Sequence, residues 1–483
     1  MTTARTGRDP ACFPLGAPPV LGPRPRPAQV RLAPAQERMW SHTPSANWNV
    51  ARAMRLRGAA VDVAALHTAL ELLVARHDPL RTRYPATEFG PVQCVVDPAE
   101  AVLDVRVSPL SEAALAPALA AFAAQPFDLA RDLPLRARLF VLAPDDVVLA
   151  LVVHHISVDG RSLAPLIRDL ITAYAACSAG TTPAWTPLPI TYTDYTLWKH
   201  EQLGEFTDEW SRATQQLRYW ANALAGRPAR LDLPTRRSPA PPVDPIAGAL
   251  LPISFDAATH AGLLRLAQEA RASLFMVLQA AFAVTVGEFA RSADVTVATA
   301  VSGRDHRLLD DLVGNFSDDI LMRIRLDRAG DVGELIDQVR RVALAAYAHP
   351  DTPNPRLKRC LLQDAALPLF QATLILQRAD APRTAEAPAA QALSITEVPI
   401  GVIRAKHDLE FGLTDHYDAV GAPAGVDGAF IYPIARFDEA TAQAFVARFR
   451  AVVALLADGY RGPLPASRKR SLSTARRAAR VFV

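Results

Sequence analysis

Cysteine is scarce in this 483-residue chain: the four residues Cys12, Cys94, Cys177 and Cys360 stand far apart, with no C-x-x-C pair. That spacing excludes a disulfide framework and a cysteine zinc cluster, and it leads us to expect reduced thiols in a cytoplasmic protein. Long apolar runs are also missing. The longest uncharged one, Ala272 to Gly287, falls short of the ~18–20 residues that cross a bilayer and reads as a buried helix, so no membrane association is expected. The first thirty residues carry arginines and prolines but no apolar core of signal-peptide length. No Gly-rich phosphate loop, G-x-S-x-G elbow or H-E-x-x-H pair occurs. Nucleotide activation, serine-hydrolase chemistry and zincin chemistry are therefore disfavoured, and neither a bound cofactor nor a metal is expected.

What is present is ordinary globular composition: 50% hydrophobic, 21% charged and 7% aromatic residues. At about 100–200 residues per domain this length fits two to four domains. The net charge of +3 is unevenly spread. Residues 1–31 carry +4 and residues 461–483 carry +7, which leaves −8 for residues 32–460. An acidic body with basic ends lacks the basic folded surface on which nucleic-acid binding depends, so no nucleic-acid partner is expected.

The pattern predicts a Pro/Arg-rich disordered lead-in over 1–30, an N-terminal lobe over 31–190, a C-terminal lobe over 191–460 and a basic tail over 461–483. Strands are expected at Asn49–Leu56, Leu135–Leu142 and Val147–His154, with helices at Val61–Arg76 and about Ser162–Ala176. The alternation resumes beyond residue 246. Strands at Ala372–Gln377, Leu393–Pro399, Leu409–Leu413 and Ala429–Tyr432 are expected to complete a second sheet before a final helix at Asp438–Ala457. The fold class is α/β, with two lobes of similar size.

The most informative stretch is Val152-Val153-His154-His155-Ile156-Ser157-Val158-Asp159-Gly160. An apolar strand runs into two histidines, then an acid and a glycine, and a helix follows. Neighbouring strand residues point to opposite faces, so one histidine faces a given cavity while the other packs beneath or orients it. An imidazole with pKa near ~6.5 takes a proton from an attacking amine or hydroxyl at neutral pH, and glycine lets backbone approach a reacting centre. Asp159 either couples to a histidine or holds an arginine. Average residue usage puts these four fixed positions together by chance in about one such chain in a thousand, which favours a functional reading.

This segment resembles the HHxxxDG motif of condensation domains of nonribosomal peptide synthetases, in the chloramphenicol-acetyltransferase-like superfamily. Further motifs agree in order: Leu32-Ala33-Pro34-Ala35-Gln36-Glu37-Arg38-Met39-Trp40 with S-x-A-Q-x-R-L-W, alanine standing at the usual Ser position, Arg76-His77-Asp78-Pro79-Leu80-Arg81-Thr82 with R-H-E-x-L-R-T-x-F, Tyr84 being the aromatic, and Tyr192-Thr193-Asp194-Tyr195 through Trp198 with Y-x-D-Y-x-x-W. Ser302-Gly303-Arg304 and Val313-Gly314-Asn315-Phe316 resemble the paired S-G-R and G-x-F segments, His349 and Pro353 match H-x-x-x-P, and Lys406-His407-Asp408-Leu409 is similar to R-H-D-L.

The resemblance implies a V-shaped pseudo-dimer of two acetyltransferase-like lobes with a tunnel between them. By it, His155 acts on the acceptor as general base or by positioning its amine, and His154 is mainly architectural. Asp159 pairs with Arg304 across the lobes, and the Gly160 amide lies where a thioester carbonyl passes. The expected reaction joins a carrier-bound aminoacyl or acyl thioester to an amine, less often an alcohol. The substrate carrier is the phosphopantetheine arm of an acyl or peptidyl carrier protein supplied in trans, and the acceptor is a small-molecule or carrier-bound nucleophile. Because no adenylation domain and no Gly-Gly-x-Ser carrier site are evident, a free-standing condensation enzyme, or one excised from a larger synthetase, is expected; a monomer is expected as well. The alternatives are an epimerization domain, disfavoured because Ser302-Gly303-Arg304-Asp305-His306 lacks the E-G-H-G-R pattern, and a non-catalytic docking or recruitment module.

Two departures from the family pattern stand out. Arg161 replaces the usual Trp after Asp-Gly, and the G-x-F segment continues Ser317-Asp318-Asp319-Ile320-Leu321 in place of Val-Asn-Thr. Asp318 and Asp319 either line the acceptor side, favouring a cationic nucleophile, or face solvent or cap an element.

Overall fold

A computed structural model describes residues 19–463, apart from 41–45, 59–60, 89, 237–243, 245, 363, 365–366 and 380–392. Cys12, residues 1–18 of the lead-in and residues 464–483 of the basic tail lie outside the described residues. Cys94, Cys177 and Cys360 are free thiols.

Two mixed sheets organise the chain. The first, in spatial order, comprises Leu393–Glu397, Asn49–Gly58, Asp146–His154, Leu135–Ala143 and Val105–Pro109. All neighbours run antiparallel except the last pair, which is parallel. The second comprises Asp318–Arg325, Asp294–Val301, Ala372–Arg378, Leu409–Tyr417, Pro423–Pro433 and Gly248–Phe255. Its two central pairings are parallel and the others antiparallel. A small third sheet joins Val30–Arg31, Thr82–Arg83, Ala86–Thr87 and Gly90–Val95.

One strand is placed differently from the sequence expectation. Leu393–Glu397 belongs to the first sheet, where Ile395 pairs with Leu56, and not to the second. Its alternating polar pattern suits an open edge, and Asn49–Gly58 offers one; the amide of Val398 continues the contact to the Ala53 carbonyl at 2.8 Å. The two halves are thus tied by a strand from beyond residue 390.

Strand Asp146–His154 is apolar along nearly its whole length because both of its faces are covered. Val147, Leu149, Leu151 and Val153 pack with Leu66, Leu70 and Leu73 of helix Val63–Arg76 and with Leu166 and Leu170 of helix Leu163–Ser178. Val148, Ala150 and Val152 pack on the other face with Leu119 and Phe122 of helix Glu112–Ala123. Helix Val63–Arg76 starts where Asp62 caps it, accepting from the Ala65 amide at 2.9 Å.

The core of the second half is built on phenylalanines. Phe411 lies 4.7 Å from Phe430, 4.7 Å from Phe449 and 5.1 Å from Phe282, centre to centre. Helix Leu274–Ala290, which contains most of the apolar run noted above, is buried on nearly all sides among them. Helix Glu439–Ala457 is long and apolar enough to cross a membrane, yet its Phe445, Phe449 and Val453 are core residues.

Residues 19–30 of the lead-in lie against this body. Leu21 is buried, the Arg24 amide donates to Asp194 at 2.8 Å, and Arg26 donates to Asp78 at 2.6 Å.

Candidate active site

The strand that carries the histidines ends at His154, and a turn takes over from His155. His154 is sealed from solvent. Its Nδ1 accepts from the Ile156 amide at 3.2 Å, and its ring meets Phe127 edge-on at 5.9 Å. Burial pushes its pKa down to about 3. A neutral ring with one nitrogen committed to backbone is a structural element of the turn.

His155 differs. Its amide donates to the Trp48 carbonyl at 2.8 Å, its ring stands edge-on to Trp48 at 5.9 Å, and it is only half-buried. No hydrogen-bond partner engages its Nδ1 among the described residues. Burial, then the positive charges of Lys406 and Arg38, hold this imidazole well below its ordinary value, so it is neutral at pH 7. The turn is fixed from below: the Gln36 side-chain amide donates to the Ile156 carbonyl at 3.1 Å and to the Tyr84 hydroxyl at 3.2 Å, and Tyr84 lies 3.0 Å from the Ser157 hydroxyl. The Q of the first motif and the aromatic of the second therefore serve the histidine turn.

Asp159 sits at the start of the short helical turn Gly160–Ser162 and receives donors from both halves of the chain. The Ser162 amide donates to its Oδ1 at 2.8 Å, Arg304 donates to the same oxygen at 3.1 Å, and the Phe316 amide donates to Oδ2 at 3.2 Å. Of the two readings left open by the sequence, the structure pairs Asp159 with an arginine. Arg304 also donates to the Ser162 hydroxyl at 2.9 Å and to the Leu309 carbonyl, and its guanidinium lies 4.1 Å from the centre of the Phe316 ring. Ser162 in turn accepts from the Gly314 amide at 3.1 Å. Gly160 is exposed and its backbone torsion is ordinary; a Cβ there would meet Gln377 Nε2 at 3.9 Å. That is an ordinary contact, and it shows that the loop faces strand Ala372–Arg378 of the second half. Arg161 is exposed and outside this network.

Asn315 is buried, and its side chain donates to the Ala35 carbonyl at 3.3 Å, while Tyr192 donates to the Asn315 carbonyl. Asp318 and Asp319 begin strand Asp318–Arg325, and both are buried. The solvent-facing reading is thereby removed. Arg38 is ion-paired with Asp319 and lies 3.8 Å from Asp318 Oδ1. Burial raises the Asp318 pKa to about 7, with the Arg38 charge opposing it. Asp318 also lines a cavity of about 410 Å³ with Tyr195, Lys199, Arg304, Asp305 and Asp351.

Four further residues complete the site. Trp48, Arg38, Ser162 and Lys406 each link the histidine turn or Asp159 to their surroundings; the Lys406 ammonium lies 5.1 Å from the centre of the Trp48 ring. The sequence reading missed Ser162; the D-x-x-S spacing from Asp159 is the local signal that points to it, and the structure contains that reciprocal cap. Arg38 and Lys406 stood inside motifs, but no local pattern tells which distant partners they meet.

The family model for the condensation domain matches residues 28–472. The chain is 40% identical over 448 residues to CymA of Salinispora arenicola, named a "probable non-canonical nonribosomal peptide synthetase", covering 91% of this chain and 6% of that protein. It is 38% identical over 448 residues to the isonitrile lipopeptide synthase of Mycobacterium tuberculosis, covering 89% of this chain and 17% of that protein. It therefore spans less than a fifth of the length of either relative. Among solved structures, an X-domain from teicoplanin biosynthesis in complex with OxyB superposes with TM-score 0.83 at 30% identity, covering 92% of this chain and 97% of that one. The first condensation domain of the calcium-dependent antibiotic synthetase shares the fold, with TM-score 0.67 at 20% identity, covering 91% of this chain and 99% of that one. On these matches the chain belongs to the condensation domain family.

Proposed function

We propose that this chain condenses a carrier-bound acyl or aminoacyl thioester with an amine acceptor, His155 acting on the acceptor nitrogen. The observation that carries this is the half-buried, neutral His155 whose Nδ1 has no partner among the described residues, on a turn that the protein holds rigid. A neutral imidazole accepts a proton; a charged one does not.

In the step itself, the amine lone pair attacks the thioester carbonyl carbon. The C–N bond forms, His155 takes the N–H proton, the C–S bond breaks, and the departing thiolate takes up a proton to leave as the pantetheine thiol. An alcohol acceptor would give the ester by the same balance. The thioester is already activated, so alignment of the two substrates supplies much of the acceleration, up to about 7–11 kcal/mol in well-oriented systems. Asp159 and Arg304 satisfy each other's charge and act by holding the Gly160 loop against the second half.

The test is intact-mass analysis of product after the protein is mixed with acyl-pantetheine donors and a panel of amines and alcohols. Donor-dependent product that is lost in His155→Ala supports the reading, and the absence of product with every donor counts against it.

A second reading has its own support: likeness to an X-domain that was solved with a partner protein, OxyB, bound to it. As a recruitment module the chain would retain a partner protein in His155→Ala and turn over no thioester.

A further inference from the structure

The cavity beside Asp318 has a charge imbalance that the fold leaves open. At and beside it four buried carboxylates, Asp159, Asp318, Asp319 and Asp351, stand with three buried cations, Arg38, Lys199 and Arg304; of these, Asp318, Asp351, Lys199 and Arg304 line the cavity. Three of the acids are matched: Asp159 by Arg304 at 3.1 Å, Asp351 by Lys199 at 2.7 Å, and Asp319 by Arg38. Exposed Arg212 adds a contact to Asp351 at 3.5 Å, on the carboxylate that is already paired. Asp318 has only a share of Arg38, whose Nε lies 3.8 Å from its Oδ1. Its Oδ1 accepts from the Asp319 amide at 2.8 Å, but its Oδ2, although buried, receives no donor. A lone buried carboxylate oxygen on a cavity of about 410 Å³ is costly unless something donates to it.

We propose that this cavity takes an ammonium or guanidinium group of the amine acceptor, with Asp318 as its ion-pair partner. The assignment to the acceptor rests on the condensation reading above; the cation site itself rests on the unpaired oxygen and the charge count. Position supports it. Arg38, which contacts Asp318, also lies 5.3 Å from the centre of the Trp48 ring, and Trp48 touches His155, so two side chains in series link Asp318 to the reacting histidine. The second carboxylate, Asp319, occupies Arg38 and keeps it from neutralising Asp318 fully.

The experiment uses an isosteric pair of probes, butylguanidinium and N-butylurea, titrated calorimetrically into the full chain. Butylguanidinium should bind at least about tenfold more tightly than N-butylurea, as for a charge-assisted bond against a neutral one. Asp318→Asn should erase the difference. Equal affinity of the two probes, or a preference that survives Asp318→Asn, overturns the proposal.

Should that variant not fold, the wild-type protein is tested by pH. Asp318 is faced by Arg38 and Glu37 from helix Pro34–Trp40, by Asp351, by Asp319 beside it, and by Lys199 and Arg304 across the cavity. A cation binds the ionised carboxylate, so butylguanidinium affinity should rise about tenfold from pH 6 to pH 8, around a pKa of about 7. A flat profile overturns the proposal as well. Binding is read without turnover. Condensation of neutral amines without butylguanidinium binding would remove this site alone, and binding without any product would keep the cation site while removing the catalytic reading.

Discussion

Arg304 and Asp159 stand 145 positions apart in the chain and meet at 3.1 Å, with side-chain exposures of 0% and 3%. The pair closes the loop that carries His155 and Gly160 onto the second half, and four further groups bond to it: the Ser162 and Phe316 amides, the Leu309 carbonyl and the Ser162 hydroxyl.

Removing either member strands the other in a dry site. Arg304→Ala and Asp159→Ala should each cost about 3–5 kcal/mol, the cost of breaking a buried pair, seen as a lower melting temperature and an earlier denaturant midpoint. Unchanged melting temperatures with lost product formation would move the pair from structure into the chemistry.

His155→Ala should reduce product formation by about 10²–10⁴-fold, the range for a positioned acid–base group, with the circular dichroism spectrum unchanged. His155 is half-buried at a turn and supports little of the core, so near-wild-type rates in this variant would take it out of the mechanism.

The acidity of His155 sets a pH profile. Its pKa in the folded protein lies well below the ordinary 6.5, so it stays neutral as pH falls through that value. Product formation should hold steady from pH 8 through 6.5 and fall only in more acidic solution. The same sign applies to stability: an imidazole that resists protonation when folded makes stability decline as pH drops below the unfolded value. A half-maximal rate near pH 6.5 would mean an ordinary, solvated histidine.

Gly303 is required by its backbone. Its φ is +60°, and a Cβ there would come within 2.1 Å of the Phe316 carbonyl oxygen, a backbone atom that cannot swing aside. Gly303→Ala should therefore cost more than the ~1–2 kcal/mol of left-handed strain alone and should loosen Arg304 next to it. Gly180→Ala is the matched control, with φ +66° and open space around the added methyl. Similar denaturant midpoints for the two variants would remove the steric argument.

Asp318 should lower stability at high pH. Its folded pKa of about 7 lies above the unfolded value, so its buried carboxyl favours folding below the unfolded pKa, and this contribution is lost as pH rises through about 7. Asp318→Asn, neutral throughout, should gain on wild type by up to about 4 kcal/mol at pH 8 and by little near pH 4. Thermal melts across that range check it; an advantage independent of pH would contradict a raised pKa.

The sequence by itself determined the elements and the identities at the site. A continuous apolar run located strand Asp146–His154, period-3.6 apolar spacing located helix Val63–Arg76, and four uncommon residues in HHxxxDG marked the turn, because these signals are local. Strand Leu393–Glu397 was legible as a strand but not as a member of the first sheet, since edge pairing depends on which edge is open in space. Only the tertiary structure decided that Asp318 and Asp319 are buried, that Arg38 serves Asp319 first, and that His155 is neutral while keeping an unpartnered nitrogen. Those properties come from desolvation and from charges brought together over hundreds of residues, which no window of sequence contains.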